Sequence, residues 1–269
     1  MLKNLLLCPK CGEQLTKENG SYKCCQGHCY DIAKEGYVNL LLKHSANPGD
    51  SSDSLQSRDR FLNKGYYKPL SDKLNQLSDE LLKSTDSFLD AGCGTGYYLQ
   101  NIINYINKDI DFYGTDIAKK GVSMTAKKCP KATCFVGNVF HLPFADESLD
   151  VLMSVFTPYS SDEFGRVVKK GGYVIAVTPG KRHLYQLKEI VYETPYFNEE
   201  SGYDLADFQL VDKCNVTYSV TLENNEDLAS LWKMMPYYHT SRKEDNDRLL
   251  SMDSAQTEID FLVSVYRKQ

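Results

Sequence analysis

Short apolar runs that alternate with mixed polar stretches dominate the middle of the chain. One apolar run ends at Phe88-Leu89, and others occupy residues 111–116, 132–138, 148–155 and 173–177. Runs of this length predict buried strands, and the longer mixed stretches between them predict helices. Strands that alternate with helices pair in parallel, because a parallel connection needs a long crossover. The pattern therefore predicts an α/β fold with a mainly parallel sheet.

Two further features complete this pattern toward the C-terminus. Residues 167–177 predict a helix end, a tight turn at Gly171-Gly172 and then the fifth strand. Strict alternation of apolar and polar positions follows in two segments, at Val216, Tyr218, Val220 and Leu222 and again at Ile259, Phe261, Val263 and Val265. A period of two predicts that both segments are half-buried strands.

The loop after the first predicted strand is the most informative segment of the chain. Residues 90–97 read Asp-Ala-Gly-Cys-Gly-Thr-Gly-Tyr. Glycines at this spacing let the backbone pass close to a ligand, because a side chain there would collide with it. Asp90 ends the strand, where a doubly wound sheet has its ligand crevice. Asp116 ends the next strand, roughly 20 residues past the loop, where an acid that holds a ribose hydroxyl belongs. Together these features predict a cofactor that contains a nucleoside.

The position of the third glycine separates the classes of cofactor. A dinucleotide fingerprint needs glycine at the position of Tyr97, whereas here the third glycine is Gly96. The pattern resembles the first motif of class I S-adenosylmethionine-dependent methyltransferases. In that class the loop contacts the methionine part of the cofactor, and the acid of the second strand holds the ribose. A nicotinamide cofactor and a glycine-rich turn without a ligand are the alternatives.

Clustered cysteines mark a separate module at the N-terminus. Cys8 and Cys11 enclose two residues, and Cys24, Cys25, His28 and Cys29 follow about a dozen residues later, which is the spacing of a structural zinc site. The second group offers more ligands than one tetrahedral ion needs. Disulfides compete with zinc, but residues 1–7 hold only a short Leu run and are not expected to be a signal peptide, so zinc is favoured. The scattered Cys93, Cys129, Cys134 and Cys214 are expected to be buried, inert thiols.

Length and charge agree with a cytoplasmic enzyme of two parts. A chain of 269 residues can bury a full α/β core and carry a small additional module. No apolar run approaches the roughly 20 residues of a membrane helix, so no membrane partner is expected. The net charge of −5 argues against a surface covered by nucleic acid. Residues 1–70 nevertheless hold ten Lys and Arg against seven Asp and Glu. This segment could therefore touch phosphates, although an ordinary solvated surface explains its charge equally well.

The order of motifs along nearly the whole chain resembles one family. The zinc motif leads into residues 31–41, followed by Pro48-Gly49-Asp50-Ser51, the segment 58–70, the 90–98 loop, the segment 178–184 and Met234-Met235-Pro236. This order resembles the bacterial 23S rRNA guanine-N1 methyltransferases, a family that includes a tylosin-resistance enzyme. The segment 33–41 joined to a zinc knuckle is far more specific than the glycine loop.

The resemblance implies a class I, Rossmann-like methyltransferase sheet with a small N-terminal zinc-binding module. It implies a zinc-binding RNA-recognition module at 1–42, a linker and helical segment at 43–80, and an S-adenosylmethionine-dependent domain at 81–269. The two alternating segments near the C-terminus become the antiparallel edge pair of the sheet. The implied zinc ligands are Cys8, Cys11, Cys24 and His28, with Cys25 and Cys29 as additional thiols. The implied cofactor contacts are Tyr67, Asp90, Gly92, Gly94, Thr95, Gly96, Asp116, Asn138, Val139 and His183.

The same resemblance implies methylation of guanine N1 in a hairpin of 23S rRNA. It also implies a link to antibiotic resistance, and related enzymes suggest a homodimer. N1 of neutral guanine carries a proton and lies in the pairing edge. The base must therefore be unpaired, and it must lose this proton around the transfer. Asp50 and Tyr159 are the candidate bases, with turn formation and aromatic stacking as their alternative roles. Four cations of the linker are expected to bind RNA phosphates together with the zinc module: Arg58, Arg60, Lys64 and Lys68.

Functions of two other classes remain open. A small-molecule methyltransferase that acts on a quinone or metabolite would share the segment 141–144 and the edge strands, but it does not need a zinc module. A zinc-ribbon RNA-binding protein with an inactive methyltransferase domain would not need the intact glycine loop with Asp116. Calorimetry with S-adenosylmethionine separates this second alternative from the enzymes.

Overall fold

The computed structural model describes residues 4–42 and 49–269. Its strands are β1 (Thr16–Glu18), β2 (Ser21–Lys23), β3 (Cys29–Asp31), β4 (Val38–Asn39), β5 (Ser87–Ala91), β6 (Asp111–Asp116), β7 (Thr133–Val136), β8 (Leu149–Val155), β9 (Val168–Pro179), β10 (Phe208–Leu222) and β11 (Ala255–Lys268). Its helices are α1 (Ser52–Asn63), α2 (Lys68–Leu81), α3 (Tyr97–Tyr105), α4 (Lys119–Lys128), α5 (Ser161–Val167), α6 (Tyr185–Val191), α7 (Asn225–Lys233), α8 (Pro236–Thr240) and α9 (Lys243–Leu250). Residues 43–48, which begin the predicted linker and include Pro48 of the family motif, lie outside the described residues.

Eight strands form one central sheet in the order β10-β11-β9-β8-β5-β6-β7-β4. The strands from β9 to β4 in this order are parallel, whereas β11 is antiparallel to both of its neighbours. The chain proceeds from β5 to β6 and β7 on one side and then crosses to β8 and β9 on the other. A ligand crevice forms at the carboxyl ends of the strands where the order reverses in this way. The predicted α/β fold with a mainly parallel sheet is confirmed.

The two alternating segments near the C-terminus form the predicted antiparallel edge pair, with Val216 opposite Phe261. The predicted glycine turn before the fifth strand is wrong. Helix α5 ends at Val167, and β9 begins at the next residue and runs through both glycines. Gly171 has a φ of +76° and lies near an irregularity in the pairing with β8. A glycine in the left-handed region allows such a bulge, so the strand bends without leaving the sheet.

The N-terminal module contains a small antiparallel sheet of β1, β2 and β3. Asn19-Gly20 connects β1 to β2, and both residues have positive φ, at 45° and 80°. Two such residues in sequence form the turn that matches the twist of a hairpin. The module is therefore held by local pairing as well as by its cysteines.

This module also contributes a strand to the central sheet. Strand β4 pairs in parallel with β7, and the Leu40 N–H donates to the Val136 carbonyl at 3.0 Å. Before the first cysteine, the Leu7 N–H donates to the Pro143 carbonyl at 2.8 Å. Strand β4 thus covers the edge of β7 that would otherwise present free backbone groups.

Apolar side chains pack on both faces of the sheet. Phe88 belongs to a cluster that includes Trp232, whereas the next residue, Leu89, belongs to a cluster that includes Leu6 and Leu15 of the N-terminal module. Successive residues of a strand point to opposite faces, so the module forms part of the core on one face. Over the described ranges, no helix has the length and apolar character needed to cross a membrane.

Candidate active site and zinc site

A cavity of about 960 Å³ opens at the carboxyl ends of the parallel strands. Nine of the ten predicted cofactor contacts line it: Tyr67, Asp90, Gly92, Gly94, Thr95, Asp116, Asn138, Val139 and His183. The loops that follow β5, β6, β7, β8 and β9 all contribute to the lining, as do residues before and after α1 and around α8. The sequence therefore predicted a set of residues that the fold brings to one place.

Two glycines of the loop have different structural roles. Gly92 has a φ of +88°, and a Cβ on it would lie 2.1 Å from the Thr157 Oγ1 of the loop after β8. Gly96, the predicted contact that is not part of the lining, precedes α3, and a Cβ on it would lie 2.9 Å from the Thr125 Cα of α4. Gly96 therefore lets α3 pack closely on α4. Gly92 lets the loop after β5 approach the loop after β8.

Asp116 connects the glycine loop to the end of β6. Its Oδ2 accepts the Gly94 N–H at 2.9 Å, and its Oδ1 accepts the Ala118 N–H at 2.8 Å. Burial raises the pKa of this carboxyl, and the two backbone hydrogen bonds oppose that rise. Each carboxylate oxygen can accept a further hydrogen bond. Asp116 can therefore hold the loop and still accept ribose hydroxyls.

Asp90 is 2% exposed at the end of β5. Burial, reinforced by the charge of Asp116, raises the pKa of the Asp90 carboxyl to about 8. The group is thus largely protonated at neutral pH when no cation is nearby. A positively charged ligand in the cavity would favour its ionised form.

Three hydroxyl groups at the cavity are buried and make no hydrogen bond within the described residues: those of Tyr67, Thr95 and Tyr98. Burial raises the pKa of both phenols well above the usual value, so they stay protonated and can donate. A buried polar group without a partner is unfavourable, and a polar ligand would relieve that cost. These groups fit the amino and carboxylate groups of S-adenosylmethionine.

His183 is a neutral imidazole in this cavity. The Asp260 N–H donates to its Nδ1 at 3.3 Å, and burial lowers the pKa of the ring to about 3. Because Nδ1 accepts, the proton resides on Nε2. The ring packs on Phe261 with centroids 4.8 Å apart. His183 therefore offers a hydrogen-bond donor and no positive charge.

The two candidate bases lie in different surroundings. Asp50 lines the cavity and pairs with the Arg58 guanidinium. Tyr159 is not among the lining residues in the described part of the chain. Its ring stacks on Tyr203 at 3.8 Å, and its hydroxyl accepts the Asp204 N–H at 2.8 Å. Only Asp50 of this pair is thus positioned to reach a substrate in the cavity.

Four side chains of the N-terminal module form a compact cluster: Cys8, Cys11, Cys24 and His28. Their ligand atoms all lie within 4.8 Å of one another. The His28 Nδ1 lies 3.4 Å from the sulfurs of Cys8 and Cys24, and the sulfurs of Cys11 and Cys24 are 3.7 Å apart. Tetrahedral zinc with bonds of about 2.0–2.3 Å places its ligand atoms at about these separations. The four residues therefore fit zinc.

The remaining thiols lie elsewhere. Cys25 and Cys29 are exposed and do not belong to this cluster. Cys93, Cys129 and Cys134 are buried as expected, while Cys214 is only partly buried.

Tyr30 supports the zinc site and was not predicted. Its hydroxyl lies 3.2 Å from the Cys8 sulfur. Burial disfavours the Cys8 thiolate, but hydrogen bonds from Tyr30 and from the backbone of Lys10 oppose this effect and lower its pKa to about 6. A group that donates to a metal ligand stabilises the ionised form that binds the metal. The motif spacing carries no signal for Tyr30, because the contact depends on the pairing of β3 with β2.

The four linker cations predicted to bind phosphates are not free. Each pairs with a carboxylate: Arg58 with Asp50, Arg60 with Glu226, Lys64 with Asp227 and Lys68 with Asp72. Two of these acids lie in the first turn of α7, where the helix dipole favours negative charge. That these four cations bind RNA phosphates stays a prediction, and two of them, Arg60 and Lys64 of α1, already lie against acids of α7.

Comparisons with known proteins agree with this architecture. Residues 6–45 match the family model described as the N-terminal part of RlmA, a zinc ribbon, and residues 89–176 match a methyltransferase-domain model. A 23S rRNA (guanine(748)-N(1))-methyltransferase of Streptomyces fradiae is 31% identical over 193 residues, which is 70% of this chain and 69% of that protein. A protein of Micromonospora griseorubida, provisionally named a 23S rRNA (guanine-N(1)-)-methyltransferase, is 31% identical over 201 residues, or 68% of each chain.

Among solved structures, the YcgJ protein of Bacillus subtilis covers 73% of this chain and 98% of its own, with 14% identity and a TM-score of 0.47. The two family models and the zinc cluster confirm the predicted class I methyltransferase fold with its zinc ribbon. They also confirm S-adenosylmethionine and zinc as the cofactors.

Proposed function

We propose that this chain, which belongs to the family of 23S rRNA (guanine-N1)-methyltransferases, transfers a methyl group from S-adenosylmethionine to N1 of one guanine in a hairpin of 23S rRNA. S-adenosylmethionine supplies a methyl group that its positive sulfur already activates. Positioning of the two reactants can therefore provide much of the rate. We also propose a cytoplasmic location, which agrees with an rRNA substrate. Related enzymes further suggest that the protein is a homodimer.

The observation that carries this proposal is that the zinc module contributes a strand to the same sheet that forms the cofactor cavity. Strand β4 follows the zinc cluster and pairs with β7, whose end leads directly into Gly137, Asn138 and Val139 of the cavity lining. A small substrate would not need a zinc module at this edge. An RNA hairpin can contact both the module and the cavity, since it is far larger than the cavity.

The reaction requires an acceptor for the N1 proton. His183 already carries its proton on the nitrogen that does not face Asp260, so it acts as a donor. Asp116 accepts hydrogen bonds from two backbone N–H groups. Its position at the end of β6 fits a contact with the ribose hydroxyls of the cofactor. We propose that Asp50 accepts the proton, with Arg58 holding the carboxylate at the cavity.

RNA phosphates would have to compete with carboxylates for the cations of this region. Arg60 and Lys68 form exposed pairs, which contribute only about 0–1 kcal/mol each and can exchange partners readily. The Lys64 pair is different, because the side chain of Asp227 is 4% exposed. Removing that cation would leave a buried carboxylate unpaired. We therefore propose Arg60 and Lys68, and not Lys64, as phosphate ligands.

A transfer assay with tritiated S-adenosylmethionine tests the proposed reaction. With 23S rRNA that lacks its native modification, we expect label at N1 of a single guanine. Replacing that guanine with adenine should abolish the label, because adenine presents a different pairing edge to the site. Transfer to a lipid extract or a metabolite pool, with none to rRNA, would instead establish a small-molecule methyltransferase.

The role of Asp50 has its own test. An Asp50→Asn variant keeps the size of the side chain but cannot take up the proton. We expect its kcat to fall on the order of 10²- to 10⁴-fold, while its Kd for S-adenosylmethionine stays within about threefold. A matched change of another carboxylate that pairs with a basic side chain, Asp79→Asn on α2, which pairs with Lys108, should leave kcat unchanged. A kcat of Asp50→Asn close to that of the unchanged protein would contradict this assignment.

A further inference from the structure

One aromatic residue at the cavity has an unfavourable backbone conformation. Phe156, directly after β8, has a φ of +54°, a region that bulky residues rarely occupy. Its side chain is 42% exposed although it lines the cavity. Strain and exposure of a large apolar ring are both unfavourable for folding alone. Together they indicate that the ring serves a ligand.

The surrounding loop fixes this conformation. The Phe156 N–H donates to the Val177 carbonyl at 3.1 Å, and the Thr157 hydroxyl donates to the Val155 carbonyl at 3.1 Å. The Tyr203 hydroxyl donates to the Thr157 carbonyl at 2.9 Å. These contacts hold both sides of the strained residue. The backbone at Phe156 is therefore fixed before any ligand arrives, and the ring is directed toward His183 and Phe261.

The position of the ring indicates which ligand it contacts. Its centroid lies 6.5 Å from that of His183, with the two planes 19° apart, and 5.2 Å from that of Phe261. One part of the ring is thus packed on the protein while the rest stays open to the cavity. The cavity volume of about 960 Å³ is near the upper end of the usual range for one ligand site. It has room for a planar group beside the cofactor.

We propose that Phe156 is a positioning residue that stacks on the extruded guanine and presents its N1 edge to the methyl group. This inference rests on the proposed function and names the contact that holds the base. Every nucleobase has a π-face, and a preformed aromatic surface receives it with little loss of side-chain entropy. Stacking also offsets the loss of base stacking when the guanine leaves its hairpin.

Phe156→Ala, Phe156→Leu and Phe156→Gly remove the aromatic face. We expect each to lower kcat/KM for 23S rRNA on the order of 5- to 150-fold, with the Kd for S-adenosylmethionine unchanged. Phe156→Gly also relieves the backbone strain, which offsets part of the stability lost with the contact to Phe261. Tyr105→Ala, which removes another exposed aromatic ring outside the cavity lining, is the matched control and should keep full activity.

A Phe156→Trp variant reports the contact directly. The unchanged protein has one tryptophan, the buried Trp232, and its signal under the same conditions is subtracted. We expect the remaining fluorescence of Phe156→Trp to be quenched when rRNA is added and to be unchanged by S-adenosylmethionine alone. Unquenched fluorescence, full activity of the Ala and Gly variants, or a loss of cofactor affinity in them would overturn the role of Phe156 while leaving the proposed function intact. Failure of the unchanged protein to methylate any rRNA would overturn both.

Discussion

Binding of S-adenosylmethionine should release a proton, and Asp90 is the group that releases it. The carboxyl lines the cofactor cavity and has a pKa of about 8, because it is buried and lies near Asp116. S-adenosylmethionine carries a positive sulfonium and a positive amino group. A cation beside Asp90 favours the carboxylate, so the pKa of this group must fall when the cofactor binds. The perturbation that isolates the effect is Asp90→Asn, which has no proton to lose.

The pKa sets the size of the effect. With a pKa of about 8, the free protein holds about 0.9 proton on Asp90 at pH 7. If the cofactor returns the pKa to about 4, nearly all of that proton is released. Affinity should then rise about tenfold when the pH increases from 6 to 7. The ligand amino group, whose ordinary pKa is about 8, stays protonated over this interval.

Stability of the protein without cofactor should have the opposite pH dependence. The pKa of Asp90 is raised above its unfolded value, so between about pH 4 and about pH 8 the folded state binds more protons than the unfolded state. The free energy of unfolding therefore falls as the pH rises through this interval. Asp90→Asn should remove this component, and its thermal midpoint should depend less on pH than that of the unchanged protein.

Calorimetry in two buffers with different ionisation enthalpies measures the released protons directly. We expect about 0.9 proton per cofactor at pH 7 for the unchanged protein and nearly none for Asp90→Asn. S-adenosylhomocysteine, which lacks the sulfonium charge, separates the contribution of the sulfur from that of the amino group. An unchanged protein that releases no proton, or an Asp90→Asn variant that still releases one, would refute this reasoning.

Three further predictions concern the ribose and the zinc site. Asp116→Ala should weaken S-adenosylmethionine binding at least tenfold in calorimetry, since each charge-assisted hydrogen bond contributes about 1.5–3 kcal/mol. If the unchanged protein binds NAD more tightly than S-adenosylmethionine, an oxidoreductase is favoured instead. Tyr30→Phe removes the donor to the Cys8 sulfur and should weaken zinc binding about 10- to 100-fold in a chelator competition. An unchanged zinc affinity would show that the hydroxyl does not stabilise the zinc site. Metal analysis of protein prepared without added metal should give about one zinc per chain. Cys8→Ser should lose this zinc and lower the thermal midpoint, whereas oxidised cysteine pairs without metal would contradict the site.

Local motifs explain why much of the site could be predicted from the sequence. The glycine loop follows one strand that an apolar run indicates and Asp116 ends the next, and parallel strands bring their carboxyl ends to one edge. The zinc ligands are likewise set by spacing within short knuckles. In both cases the contacts connect residues that are close in sequence or related by regular pairing.

The features that were missed depend on contacts between distant segments. Strand β4 has only two residues, so it has no period from which its pairing with β7 could be read. The positive φ of Phe156 has no sequence signal, because it is imposed by hydrogen bonds from the loop and from β9. Arg60 and Lys64 have the charge of phosphate ligands, and only the packing of α1 on α7 shows that carboxylates already hold them.

The position of β4 makes the zinc site part of the support for the cofactor site. Zinc binding free energy is folding free energy for a module that is too small to fold on its core alone. Strand β4 transmits that stability to β7 through backbone pairing, and β7 ends at the loop that contains Asn138 and Val139. Leu6 and Leu15 of the module also pack in the core of the sheet. Loss of zinc should therefore weaken cofactor binding as well as RNA recognition, because the edge of β7 and part of one apolar face would be exposed together.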